Sequence, residues 1–128
     1  MICIDRSIPK GPVEALKLVR EDVFWLEDRF DHRAKDPEWL RVAGLNGWLV
    51  ILRDKHIRSR PGERRAIEDY QVGCFVLGQK QSLNRWQYLK LIVLTLDEME
   101  RRFAETERRF IYIIDSAGNF RQVLKKQA

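Results

Sequence analysis

The chain has 128 residues, with 24 Lys+Arg against 19 Asp+Glu and a formal net charge of +5. At 45% apolar and 34% charged residues it is long and apolar enough to bury its own core as a single domain, 1–128, which excludes a disordered chain. Its two cysteines make neither a disulfide framework nor a Cys-rich zinc site, and no apolar run approaches the ~20 residues of a membrane span. The opening Met-Ile-Cys-Ile-Asp lacks the basic and apolar regions of a signal peptide, so a soluble, cytoplasmic protein is expected.

Ile2–Ile4 reads as a buried strand that ends in Asp5. Residues 7–12 read as a turn, with Pro12 at the first position of a helix running to Arg20. Val23–Leu26 is predicted as a second strand and 27–35 as loop. Asp36-Pro37 opens a helix, Asp36 as N-cap and Pro37 where its missing N–H is harmless, and Asn46-Gly47 closes it. Trp48–Leu52 is an unbroken apolar run, the pattern of a strand covered on both faces. Glu63–Gln71 is predicted as a helix and Cys74–Leu77 as a fourth strand. Ser82 is predicted to cap a long helix through Leu83, Trp86, Leu89 and Val93, continuing with a bend into Met99 and Phe103. The mixed charges from Asp97 to Arg109 read as a solvated face. Phe110–Ile114, a turn over 115–119 and Phe120–Leu124 predict a closing β-hairpin. Strands buried on both faces and alternating with helices argue for a parallel α/β sheet.

In such sheets ligands bind beyond the carboxyl ends of the strands. Asp5 follows the first strand and Arg53-Asp54 the third, while Asp36 opens a helix that starts at the same edge. Carboxylates gathered on one rim repel each other unless protons or cations screen them. An all-oxygen set suits Mg²⁺ or Mn²⁺. Taken singly, Asp36 is explained by capping, whereas Asp5 and Asp54 lack that explanation; one acid at a strand end can be a turn former, but the constellation points to a cation site. Between Arg53 and Arg65 stand six basic residues against two acids. Lys55, Arg58, Arg60 and Arg64 follow Asp54, and Arg6 and Lys10 follow Asp5, so both basic stretches leave the acidic rim. That pattern suits a polyanion such as RNA. His32 and His56 read as surface residues, with His56 in the basic stretch. Cys3 and Cys74 read as core thiols, which argues against a Cys–His nucleophile.

The strand-plus-acid start Ile-Cys-Ile-Asp5-Arg-Ser, the acid-started helix Asp36-Pro-Glu-Trp-Leu and Leu49-Val-Ile-Leu-Arg-Asp54-Lys resemble the short PIN-like domains. Among these are the ribonuclease toxins of VapC-type, type II toxin–antitoxin pairs. The resemblance implies a three-layer α/β/α fold and metal-dependent cleavage of RNA phosphodiesters, with Asp5, Asp36 and Asp54 as catalytic acids and ligands of Mg²⁺ or Mn²⁺. It also implies a further acid, for which Asp28 and Glu38 are the candidates, and a Thr ahead of Asp54 that is missing here. An antitoxin partner that masks the rim is implied too, as is a homodimer with the helix from Leu83 as candidate interface. The alternatives are a non-catalytic RNA-binding protein of the same fold and a phosphoacceptor receiver domain. The receiver fits less well, because Arg6 stands where a second acid is wanted and Gly78 where Ser or Thr is wanted.

Overall fold

The computed structural model describes residues 1–53 and 61–125. In chain order it contains β1 (Ile2–Ile4), α1 (Lys10–Lys17), β2 (Val23–Trp25), α2 (Asp36–Asn46), β3 (Leu49–Leu52), α3 (Pro61–Asp69), β4 (Gly73–Leu77), α4 (Arg85–Glu105), β5 (Phe110–Ile114) and β6 (Phe120–Leu124). A single 3₁₀ turn, Leu26–Asp28, follows β2. The six strands form one sheet in the order β2-β1-β3-β4-β5-β6, parallel except for β6, which closes an antiparallel hairpin with β5.

Every residue of β1, β3 and β4 is buried, because these strands carry apolar side chains to both faces. Ile2, Ile4, Leu49, Ile51, Phe75 and Leu77 point to one side and pack with α1 and α4. Cys3, Val50, Leu52, Cys74 and Val76 point to the other and pack with Trp39, Leu40 and Ala43 of α2 and Ala66 and Ile67 of α3. The result is a three-layer α/β/α architecture. With α1 and α4 on the same face, the β4–α4–β5 connection has the opposite hand to the three before it, against the usual uniform hand of such crossovers. Among the described residues, no helix is long and apolar enough to cross a membrane.

The helix starts differ from the sequence expectations in instructive ways. α1 begins at Lys10 rather than Pro12; Pro12 still lies in the first turn, where an N–H has no helical acceptor. The N-cap of α2 is Lys35, not Asp36, and no side chain caps it. Asp36 is instead the first helical residue, and its Oδ1 accepts the indole N–H of Trp39 at 2.9 Å. A buried indole needs an acceptor, and Trp39 stands one turn on. Asn84, not Ser82, caps α4: its side chain accepts from Gln87 N at 2.8 Å while Gln87 Oε1 accepts from Asn84 N at 2.9 Å. That reciprocal pair satisfies two donors where a lone serine satisfies one. α4 runs uninterrupted through Met99 to Glu105, and its outer end carries the Glu98–Arg101–Glu105 ion pairs expected of a solvated face. Gly47 closes α2 at φ 66°, a left-handed conformation that glycine adopts without strain.

Candidate acidic site at the carboxyl edge of the sheet

The chain leaves β1 toward β2 on one side and returns to β3 on the other, so the switch in strand order lies between β1 and β3. Ligand crevices form at such a point because neighbouring loops diverge there. Asp5 emerges at this gap, and its N–H extends the ladder by one bond, donating to Ile51 O at 2.9 Å. Asp5 is 7% exposed. Ser7 holds it from two atoms: the hydroxyl donates to Asp5 Oδ2 at 2.6 Å and the Ser7 amide donates to the same oxygen at 3.1 Å. The Ser7 hydroxyl in turn accepts Arg53 N–H at 2.9 Å. One oxygen thus joins the acid after β1 to the backbone where β3 ends.

Around Asp5 opens a depression of about 600 Å³ whose wall includes Ser7, Lys35, Asp36, Arg53 and Glu63. Burial pushes the Asp5 carboxyl above its ordinary value, the two Ser7 bonds pull it down, and the charge of Asp36 pushes it up again. The site therefore holds a desolvated carboxylate that another acid destabilises, a situation a bound cation relieves. Lys35 and Arg53 stand at the same depression, and Arg53 is steadied by donating from Nη2 to Gln79 O at 3.3 Å.

The structure brings Asp5 and Asp36 to one depression. Asp54, Lys55, His56, Arg58 and Arg60 lie outside the described residues. The two acids named as candidates for a further ligand stand elsewhere. Asp28 pairs with Lys10 at 3.5 Å and Lys17 at 3.6 Å, and Glu38 is exposed on the outer side of α2; neither lines the depression. Glu63 does line it, from the first turn of α3, and is 8% exposed. The signal for Glu63 was available in the chain: it is an acid in the first turn of the helix after β3, as Asp36 is for the helix after β2. The donor set is all carboxylate oxygen, the chemistry of a hard divalent ion. Among the described residues, no three His, Cys, Asp or Glu side chains stand close enough to share one metal.

The cations divide as well. Arg6 reaches back to the loop before α2, donating to His32 O at 2.6 Å and Ala34 O at 3.2 Å, so its guanidinium shapes the wall of the depression. Lys10 is committed to Asp28, and Arg64 pairs with Glu68 at 3.2 Å along α3. Cys3 and Cys74 are buried, and burial pushes both thiols well up, leaving them neutral components of the core.

Neither a curated protein nor a solved structure matches this chain. A family model described as "PIN like domain" matches residues 1–79, which run from β1 through β4 and contain Asp5, Asp36 and Glu63. With more than half of its length so matched, the chain belongs to the PIN-like domain family, a nuclease-type fold.

Proposed function

We propose that this chain is a metal-dependent endoribonuclease and the toxin of a type II toxin–antitoxin pair. PIN-like domains are generally nucleases. The observation that carries the reading is the buried Asp5 set beside Asp36 and Glu63 in a depression that also holds Lys35 and Arg53. The Asp5 carboxylate, held by two bonds from Ser7, lines a depression that Asp36 and Glu63 also line.

Asp5, Asp36 and Asp54 would hold Mg²⁺ or Mn²⁺, with Glu63 rather than Asp28 or Glu38 as the further acid. When bound, such an ion lowers the pKa of a coordinated water and offsets charge on the scissile phosphate. The chain's own residues do the rest. Ser7 orients the Asp5 carboxylate and favours its ionised form, the form that binds a cation. Arg53 and Lys35 attract the phosphodiester to a rim that carboxylates alone would repel, and the basic run after Asp54 extends that attraction along the RNA. An antitoxin would mask the rim by presenting a basic side chain to the acids, with both proteins in the cytoplasm.

The test is cleavage of RNA by the purified chain with Mg²⁺ or Mn²⁺. Loss of cleavage on chelation, and in Asp5→Asn and Asp54→Asn, supports the reading. A folded, metal-supplied protein that binds RNA in a salt-sensitive manner, yet cuts none of a broad substrate panel, overturns it in favour of a non-catalytic RNA-binding role.

A further inference from the structure

We propose that Lys80 and Arg121 carry single-stranded RNA away from the acidic depression, along the carboxyl edge of the sheet to the C-terminal hairpin. The inference rests on the nuclease reading for its ligand and deepens it by giving the strand a path. Both residues lie beyond residues 1–79, the part of the chain that the family model matches.

The strand registers place them. β3, β4 and β5 end on one edge, with Leu52 beside Val76 and Leu77 beside Ile114, and antiparallel β6 begins there, with Phe120 beside Ile114. Arg53, at the depression, follows β3 and donates from Nη2 to Gln79 O at 3.3 Å. The buried Gln79 side chain donates from Nε2 to Ile114 O at 3.2 Å. Gln79 thus ties the ends of β3 and β5 together, and Lys80 is the next residue. Arg121 stands beside Ile113, whose side chain packs with the α2–α3 layer, the layer that supplies Asp36 and Glu63. Paired residues of adjacent strands share a face, so Arg121 belongs to that side too. With about 4.8 Å between strands, the path from Arg53 past Lys80 to Arg121 covers about 14 Å. That is room for roughly four stacked nucleotides at about 3.4 Å each.

The charges on this edge select the ligand. Lys80 and Arg121 are exposed, and among the described residues neither side chain enters a hydrogen bond or an ion pair. Asp115, the acid of the β5–β6 turn, is committed to that turn, accepting the amides of Ala117 and Asn119 at 2.9 Å each. Cations left unpaired in line with a phosphodiester site suit a chain of phosphates.

The experiment is fluorescence anisotropy of a single-stranded RNA of about 12 nucleotides, longer than the path, titrated with the full chain in EDTA at several salt concentrations. Each phosphate contact contributes about 0.7 to the slope of log affinity against log salt. Lys80→Ala and Arg121→Ala are each expected to flatten the slope by about 0.7 and to weaken binding about fivefold at about 0.1 M salt. The double variant is expected to lose about 25-fold. Lys80→Arg and Arg121→Lys, which keep the charge, are expected to keep the parent's slope. Lys90→Ala removes the same charge from the outer face of α4, on the other side of the sheet, and is expected to leave the slope unchanged. A parent-like slope in both alanine variants overturns the proposal. So does an equal loss in Lys90→Ala, which reduces the effect to net charge, or a parent chain that binds no RNA. Cleavage plays no part in the readout: a chain that cuts nothing still reports the path, and an active nuclease whose binding ignores these residues lacks it.

Discussion

Removing the Ser7 hydroxyl tests the acidic site from its support rather than from its ligands. In Ser7→Ala, Asp5 loses its 2.6 Å bond and the Arg53 amide loses its 2.9 Å acceptor, while the Ser7 amide bond to Asp5 remains. A hydrogen bond to a charged group contributes about 1.5–3 kcal/mol, and a neutral one about 1 kcal/mol. The bond favours ionised Asp5, so its loss raises the Asp5 pKa further and costs more above that pKa than below it. With both bonds lost, about 3 kcal/mol is therefore expected at pH 8, falling toward about 2 kcal/mol once Asp5 is protonated. With an unfolding entropy of about 2.1 cal/mol/K per residue, 3 kcal/mol lowers the Tm of a chain this size by roughly 11 °C. Thermal denaturation from pH 4 to pH 8 measures the difference. Titration with Mn²⁺ supplies a second readout, expected to fall about 10–100-fold in affinity because the ligand's support is gone. Ser7→Thr, which keeps the hydroxyl, should recover both. A Ser7→Ala protein with the parent's Tm at every pH and the parent's Mn²⁺ affinity would show that the hydroxyl supports nothing of consequence.

Asp5→Asn should separate stability from function. Burial holds the folded-state pKa of Asp5 above its unfolded value, so the folded chain binds that proton more tightly. Stability is therefore lost as pH rises from the unfolded pKa through the folded one, and the loss is complete above it. The asparagine cannot ionise; the metal-free variant is expected to match or exceed the parent's Tm at pH 8, to lose that advantage at acid pH and to gain nothing from Mn²⁺. A metal-free variant less stable than the parent at pH 8 would contradict this. Gly44→Ala addresses the α2–α3 packing: its Cβ would lie 2.0 Å from Tyr70 O, a backbone atom that can yield only by moving the end of α3. A loss of about 1–3 kcal/mol is expected in urea unfolding, whereas a parent-like midpoint would mean the helices are not this close. Asn84→Ala breaks the capping box of α4 and should cost about 1 kcal/mol, read from the same unfolding curves; an unchanged midpoint would place the true cap elsewhere, such as Ser82.

The strands, their burial on both faces and the acid after β1 were legible in the chain because each rests on a local signal. Ile2–Ile4 and Leu49–Leu52 are apolar without alternation, and Asn46-Gly47 stops a helix wherever it occurs. Helix starts were legible only to within a few residues, since several capping residues compete and the winner depends on a second partner, as Gln87 decided for Asn84 over Ser82.

Partnership across the chain was decided by tertiary structure alone. Ser7 meets Arg53 across 46 residues and Arg6 meets His32 across 26, distances over which composition and periodicity carry no information about pairing. An arginine after an acid reads as a phosphate ligand until the fold delivers two carbonyls to its guanidinium, and Asp28 reads as a spare acid until α1 delivers Lys10 and Lys17. Glu63 becomes part of the acidic depression only because the sheet order sets the start of α3 beside β1 and α2. The chain itself determines which residues are able to serve in a site, through their chemistry and local geometry. The tertiary structure decides which of them remain available to it, because burial and long-range pairing consume some charges and expose others.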